Sequence, residues 1–550
     1  MPLRQSAVAR WLPERSCAAL AASLIVFAAA LHVLYLAANS RLDLAPDEAH
    51  YWDWSRHLDW SYYSKGPLVA WLIRLSCSLF GGLSVWLTGN LTMAVRLPAV
   101  VCGSLLLASL YLLTVQVLGR PRLALGVVAC GLTLPLITVG SSIMTIDAPY
   151  TCCWGWALVF AHRAITGRSG WGWEATGVMV GIGILAKYTM VLFIPSLAVF
   201  LLTSRDHRRL LWSAGFWKMV GLAAFCCLPI AVWNAQNGWV TVLHVRRLAG
   251  LAAAGETALR QGGRFHWSGP PHYLGMQAAL LLGWWFVAWV AAMVAYNPLR
   301  TTDSGLRFLW WLSAPMFLLF LAFSPKTGGG EPNWPVTAYL SGTVLVAAWL
   351  SEQFDSPRAW YRWVVGGGLA AVCAIGLAVS LAVHCSHLLH PVMAALAGPP
   401  TPKHPYPARR FDPTCRLRGW RFLAARVDQV CQGLRGRGIE PVLGGVSWAV
   451  PGELGVYCDG HPQAYNLGRV QGDRFSQYDH WPNPIDQAEP FAGRTFVLVG
   501  PISPRVALGF DRVYPPIEVT YIENGRTLAS WTIHVCHGYH GFPDVPPAPH

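Results

Sequence analysis

Eleven apolar runs follow one another through the first 385 residues, at about 17–38, 94–118, 123–140, 148–162, 171–186, 189–203, 213–233, 273–297, 307–324, 335–351 and 361–384. A helix of about 20 residues crosses the ~30 Å hydrocarbon layer of a bilayer, so such a chain folds around membrane-spanning helices. The composition agrees: 54% of the 550 residues are apolar, 12% are charged and the mean hydropathy is +0.38, far from a soluble average.

Arg4, Arg10 and Arg15 precede the first run, and no small-x-small cleavage site follows it. The run therefore reads as a retained anchor with a cytoplasmic N-terminus. Counting spans from there places the loops at 120–122, 163–168, 204–209, 297–307 and 351–362 inside, and each carries Lys or Arg, as the positive-inside bias requires. Residues 39–93, 141–147, 234–272, 325–334 and everything after 385 then lie on the outer side. The net charge is +14, and some of it falls in these outer loops, at Arg41, Arg56, Lys65, Arg74, Arg246, Arg247, Arg260, Arg264 and Lys326. Outer cations run against the bias, and binding of phosphate or anionic headgroups explains them. Snorkelling at the interface is the alternative for any single residue.

Composition changes near residue 385, where Pro, Gly and charge rise. The expected organisation is a multi-span domain over 1–384 with interfacial helices at 46–80, a linker over 385–415 and a soluble extracytoplasmic domain over 416–550. Within that last domain the spacing of "WRFLAARVDQVCQGLRGRG" (420–438) predicts a helix, while "PVLGG", "ELGVYC" and "RTFVLVG" read as short strands, so an α/β fold is expected. Cys385, Cys415, Cys431, Cys458 and Cys536 permit at most two disulfides there, and spacing does not choose between pairings. "CHGYHGF" (536–542) sets Cys536, His537 and His540 at a spacing that a metal can use, but it lacks a partner cluster.

The chemistry concentrates in "PDEAHYWDWSRHLDWSYYSKGPLVAW" (46–71). Asp47 and Glu48 follow the outer end of the first run, hydrated enough to ionise and close enough to lipid to meet a headgroup. Such a carboxylate suits a general base or a metal ligand, and helix capping is the plainer reading. The Trp-rich stretch behind them reads as an in-plane interfacial helix. Lys65 is a flexible point charge suited to a phosphate oxygen. Asp147, in "SSIMTIDAPY", is the lone acid of an outer loop, either functional or a cap for the next helix. Lys187, in "ILAKYT", sits between two apolar runs at the same face. The topology count thus brings Asp47, Glu48, Lys65, Asp147 and Lys187 together. No Walker-type phosphate loop is present, so an activated donor has to arrive in the lipid with a phosphate leaving group. Cations then stabilise that phosphate while a carboxylate takes the acceptor's proton, which is glycosyl transfer from a polyprenyl-phosphate sugar.

Seven segments carry a family resemblance: residues 47–75, "RLPAV" (96–100), "MTIDAP" (144–149), "LAKYT" (185–189), "WNAQNGWV" (233–240), "HYLGMQ" (272–277) and "EPNWP" (331–335). In this order they resemble bacterial members of glycosyltransferase family 39, which are similar to protein O-mannosyltransferases and to the aminoarabinose and galacturonic acid transferases of lipid A. "SQYDHW" (476–481) resembles part of the outer domain of the same group. The resemblance implies a type C glycosyltransferase fold of about eleven spans, with the active site and C-terminal domain outside the bacterial inner membrane. It implies inverting transfer from a polyprenyl-phosphate-linked sugar to a glycolipid, glycan or protein, among membrane lipids and with no nucleic-acid partner. Residue by residue, Asp47 matches the base, with Glu48 supporting it. Asp147 matches the second acid, and Lys65 and Lys187 match cations near the donor phosphate. Arg246 and Arg247 are further phosphate-binding candidates. The family differs on metal, so no cofactor is assigned; Asp47, Glu48 and His50 are the candidates for a divalent ion. Gly66 stands where relatives carry proline, implying a looser turn after Lys65, and Glu331 stands where lipid A transferases carry lysine. A lipid or solute transporter, an O-antigen ligase-like enzyme and a non-enzymatic assembly factor are the rival classes. Charges gathered at one face rather than at mid-membrane favour the enzyme over the transporter.

Overall fold

The computed structural model describes residues 13–38, 42–248, 265–399 and 412–545, with four residues of the intervening linker. It is a multi-pass helical assembly carrying a C-terminal domain built on a mixed sheet. Five helices can cross a membrane by length and composition, and seven if each of two bent pairs is one span. They include α1 (Glu14–Ala38), α3 (Leu68–Thr88) and α4 (Thr92–Leu118), while α2 (Pro46–Arg56) is short. Other expected spans are shorter or broken: 123–140 divides into Pro121–Gly131 and Pro135–Gly140, because Pro135 lacks the N–H needed to continue the first helix.

α3 has the apolarity of a span but lies crosswise. Ser76 Oγ donates to the Ala94 carbonyl at 2.6 Å, and the Ala94 N–H donates to Ser84 Oγ at 3.2 Å. Two α3 residues two turns apart therefore meet one residue of α4, so the helices cross instead of running alongside. Along α3, Leu75, Leu79, Leu83 and Trp86 are exposed while Val69, Ile73 and Ser76 are buried, so much of its apolar surface is left uncovered by the protein. α2 differs from the interfacial expectation in another way: Glu48 to Ser55 are all buried, covered by the soluble domain rather than by lipid.

Helix Asp147–Ile165 runs through the middle of the membrane part, with most of its residues buried and Trp154 fully enclosed. Its first residue is thereby fixed at one end of the bundle.

The soluble domain contains β1 (Val442–Gly445), β2 (Ala464–Asn466), β3 (Phe496–Val499), β4 (Phe510–Val513), β5 (Ile517–Glu523) and β6 (Arg526–Tyr539). Their order is β2-β1-β3-β6-β4, with β5 also on β6; β1 pairs in parallel with β2 and β3, and β6 pairs antiparallel with its neighbours. The helix expected after residue 420 spans Trp420–Arg435, and "PVLGG" and "RTFVLVG" supply β1 and β3. "ELGVYC" is not a strand: Pro451 opens helix Val450–Tyr457, which packs on α2. Gly452 permits the contact, since a Cβ there would stand 2.7 Å from the Ala49 carbonyl carbon. All fourteen cysteines are free. Cys536 is buried, whereas its neighbour His537 points to the other face of β6 and bonds Thr495 at 2.5 Å, and His540, past the end of the strand, faces Asp511. Among the described residues the cluster that does gather is His390, Asp412 and Cys415, where the His390 Nε2 to Asp412 contact of 2.7 Å ties the last helix of the membrane part to the linker.

The domain rests on the segment between α1 and α4. The Leu44 N–H donates to Tyr457 Oη at 2.7 Å, Thr92 Oγ1 lies 3.1 Å from the same oxygen, and the Tyr63 N–H donates to Gln477 Oε1 at 2.6 Å. Asp43 pairs with Arg421 and accepts the Trp420 N–H. His480 bonds Asn237 at 2.9 Å, joining "SQYDHW" to "WNAQNGWV".

Candidate functional site

α2 begins at the edge of this junction. Pro46 fixes its first turn, and Glu48 accepts the Ala45 N–H at 2.9 Å. Glu48 is fully buried: Arg96 Nε donates to its Oε1 at 2.9 Å, Arg96 Nη2 to its Oε2 at 2.7 Å, and the Met144 N–H to its Oε1 at 2.8 Å. Arg96 also donates to the Asp43 carbonyl at 2.7 Å. Glu48 thus locks α2 to α4 and to the loop before Asp147, with its oxygens occupied. His50 is buried against Trp54, Tyr478 and Trp448, and burial, aided by Arg474, holds its pKa down to about 3. Glu48 and His50 thus lie in different surroundings, one against a guanidinium and the other among aromatic rings.

Asp47, the third of the metal candidates, is exposed. It makes no hydrogen bond or ion pair among the described residues. Although exposed on its outer side, it is surrounded by enough protein that desolvation raises its pKa above the ordinary value, opposed by the positive charges of Arg474 and then Lys65. Lys65 is half-buried in the turn between α2 and α3. Burial lowers its pKa, with Lys187 adding to the shift and Asp147 and Asp47 opposing it. The five residues of the sequence reading thus belong to one junction, Glu48 as a strut and the others around the opening.

Lys187 stands in extended conformation where helix Gly172–Ala186 ends. Its Nζ donates to Asp147 Oδ1 at 2.7 Å and lies 5.2 Å from the Tyr150 ring. Asp147 is not a cap: its other oxygen accepts from Asn333 Nδ2 at 2.5 Å. The ion pair separates two cavities. One, of about 310 Å³, has Lys65 and Lys187 in its wall with Leu319, Phe320, Phe323 and Trp334. The other, of about 490 Å³, is lined by Asp147, Asn333 and apolar residues including Leu106, Ile137 and Leu340. Val245 lines neither Asp147 nor its cavity but the lysine side, while Arg246 beside it is exposed and lines neither cavity. The Arg247 side chain and residues Arg41, Arg260 and Arg264 lie outside the described residues.

Gly66 does not loosen the turn. A Cβ there would lie 2.1 Å from the Leu185 carbonyl oxygen, so the absent side chain lets the Lys65 turn touch the last turn of the helix that ends before Lys187. Gly66→Ala is expected to push the two lysines apart and lose most binding of an anionic lipid, checked by equilibrium binding of undecaprenyl phosphate to the purified variant. Wild-type affinity in that variant would show the contact to be dispensable.

Two residues escaped the sequence reading. Asn333 lies inside the quoted "EPNWP" yet was passed over for Glu331, which is exposed. Arg474 comes from the soluble domain, its guanidinium 3.5 Å from the centre of the Trp448 ring.

Residues 64–233 match the family model described as dolichyl-phosphate-mannose-protein mannosyltransferase. The lipid A galacturonosyltransferase RgtD of Rhizobium johnstonii is 30% identical over 310 residues, 56% of this chain and 60% of the relative. The undecaprenyl phosphate-alpha-4-amino-4-deoxy-L-arabinose arabinosyl transferase 1 of Pseudomonas fluorescens is 24% identical over 313 residues, 53% of this chain and 50% of the relative. The chain thus spans half to three fifths of the length of these curated relatives. The fold is shared with ArnT from Cupriavidus metallidurans in the apo state, at a TM-score of 0.59 and 18% identity over 93% of this chain and 97% of that one. The same protein bound to undecaprenyl phosphate gives a TM-score of 0.57 at 17% identity, with the same coverage. The chain is thus similar over residues 64–233 to a mannosyltransferase family model, in sequence to two sugar transferases and in fold to ArnT.

Proposed function

We propose that this chain is an inverting membrane glycosyltransferase, moving a sugar from a polyprenyl-phosphate donor to an acceptor hydroxyl on the outer face of the bacterial inner membrane. The observation that carries the reading is an apolar cavity whose wall holds two lysines, one of which, Lys65, is near enough to the exposed carboxylate of Asp47 for each charge to act on the other. A polyprenyl phosphate has this pairing of one anionic head and one apolar chain. Asp47 takes the proton from the acceptor hydroxyl as its oxygen attacks the anomeric carbon. The bond from that carbon to the phosphate oxygen breaks, and Lys65 stabilises the charge left on the departing polyprenyl phosphate. Asp147 orients Lys187 and, through Asn333, holds the segment at 331–335 against the site. The second, apolar cavity suits a lipid-bearing acceptor, and the name of RgtD makes lipid A the first to try. No step is routed through a metal.

Binding of undecaprenyl phosphate to the purified protein in nanodiscs tests the donor site. Lys65→Ala is expected to weaken it about 10- to 100-fold, the worth of a charge-assisted hydrogen bond of roughly 1.5–3 kcal/mol. Unchanged affinity would remove Lys65 from the phosphate site.

The pH dependence follows from Asp47. Only its ionised form accepts a proton, and its pKa is raised, so activity is lost on acidification starting at a higher pH than for an ordinary aspartate. The acid limb of kcat/KM is expected above pH ~4, and removing Arg474, whose charge lowers this pKa, should move the limb further up. A limb at the ordinary aspartate position would contradict the assignment of Asp47 as base.

A further inference from the structure

Arg474 belongs to the soluble domain, but two contacts bring its segment onto the membrane-side site. The next residue, Phe475, packs its ring 4.9 Å from Tyr63, two positions before Lys65, and the Tyr63 N–H donates to Gln477. On the other side, the Trp448 ring under the guanidinium lies 5.8 Å from His50, one turn beyond Asp47. Arg474 is therefore wedged between the helix that carries Asp47 and the turn that carries Lys65. Consistently, its charge is felt at Asp47, His50 and Lys65 alike.

The guanidinium is exposed and flat against Trp448. It makes no hydrogen bond or ion pair among the described residues, Asp47 included. Stacking on an indole uses the face of a guanidinium and fixes its plane, leaving the N–H fork along its edge free. Such a fork matches the two oxygens of a carboxylate or a phosphate. The two segments are also tied together, because the Trp448 backbone N–H donates to Asp473 Oδ2 at 2.9 Å. A solvated surface arginine has neither the fixed plane nor neighbours packed on the turn of Lys65 and on the helix of Asp47.

We propose that Arg474 is an oxyanion-binding residue of the active cavity, clamping a carboxylate of the donor sugar or a phosphate of the acceptor, separate from the donor phosphate at Lys65. This rests on the transferase reading and deepens it: the soluble domain supplies part of the substrate site and reads a charge on the substrate. A neutral sugar on an unphosphorylated acceptor leaves the clamp empty.

The test is binding to the full chain in nanodiscs, comparing wild type with Arg474→Ala, Arg474→Lys and Lys65→Ala. The probes are undecaprenyl phosphate, a pair of undecaprenyl-phosphate sugars differing as galacturonate against galactose, and a pair of lipid A forms with and without phosphate. In one pair, Arg474→Ala is expected to lose about 10- to 100-fold of the preference for the charged member. Arg474→Lys should restore only part, since an ammonium lacks the fork. The pair that responds names the source of the oxyanion. Retained binding of undecaprenyl phosphate by Arg474→Ala shows that the variant is folded and that the donor phosphate belongs to Lys65. If both members of both pairs weaken equally, or undecaprenyl phosphate is lost as fully as in Lys65→Ala, the proposal is overturned. Because binding is read directly, absence of turnover would overturn the transferase reading while leaving the clamp result to stand by itself.

Discussion

Asp47→Asn is expected to lower sugar transfer by about 10²- to 10⁴-fold, the range lost with a positioned general base, while leaving the fold intact. The separation of the two effects is the informative part. Asp47 is exposed and makes no hydrogen bond or ion pair among the described residues, so the amide should change stability by no more than ~0.5 kcal/mol. Undecaprenyl phosphate should also bind the variant at least as well, because removing a negative charge beside Lys65 favours an anion. Initial rates with saturating donor, read beside a melting curve, check this. An Asp47→Asn enzyme with wild-type turnover would leave the proposed mechanism without its base.

Arg96→Leu should do the reverse, damaging the protein before the chemistry. The change leaves Glu48 buried without its cation, and breaking a buried pair by removing one partner costs about 3–5 kcal/mol. The Met144 and Ala45 N–H donors remain, but two amides do not replace a bidentate guanidinium. The expected result is a large drop in the detergent-solubilised melting temperature, with loss of the soluble domain's contact on α2. Glu48→Gln should destabilise for the same reason, since it strands Arg96. If either variant kept its melting temperature and lost only turnover, Glu48 would be a chemical participant instead of a strut.

These two residues also show how far the sequence could be read. Asp47 and Glu48 are adjacent letters, and spacing alone cannot say that one is left exposed while the other turns into the protein. A signal was nevertheless present: Arg96 opens an apolar run, and an arginine at membrane depth requires a partner. Sequence alone does not choose Glu48 as that partner from among Asp43, Asp47, Asp53 and Asp59. Asp147 and Lys187 were legible because the topology count sent both to one face, and the 2.7 Å pair forms there. Gly66 was misread because a departure from a proline pair looks like added freedom, whereas the reason for the glycine is a carbonyl 119 residues further along the chain. Arg474 carried no usable signal. It lies in an irregular stretch of another domain, and only the docking of that domain on α2 makes it a neighbour of Asp47.

The fold was legible in kind and less so in detail. Apolar length identified the membrane part, but length does not fix direction, and α3 shows this: it has the composition of a span while Ser76 and Ser84 lay it across the start of α4. Of the soluble domain's strands, β1 and β3 were read from their short apolar runs, while β5, richer in β-branched residues, was not. "ELGVYC" was misassigned because its apolar letters serve a helix that packs against α2, a partner outside the local window.

The most direct test of the account is transfer of labelled sugar by the purified protein from a panel of polyprenyl-phosphate sugars, uronic, neutral and amino, to lipid A. The account predicts transfer from at least one donor, with the sugar linkage inverted and undecaprenyl phosphate released in equal amount. Translocation of an intact polyprenyl-phosphate lipid without any sugar transfer, by wild type and Asp47→Asn alike, would contradict it.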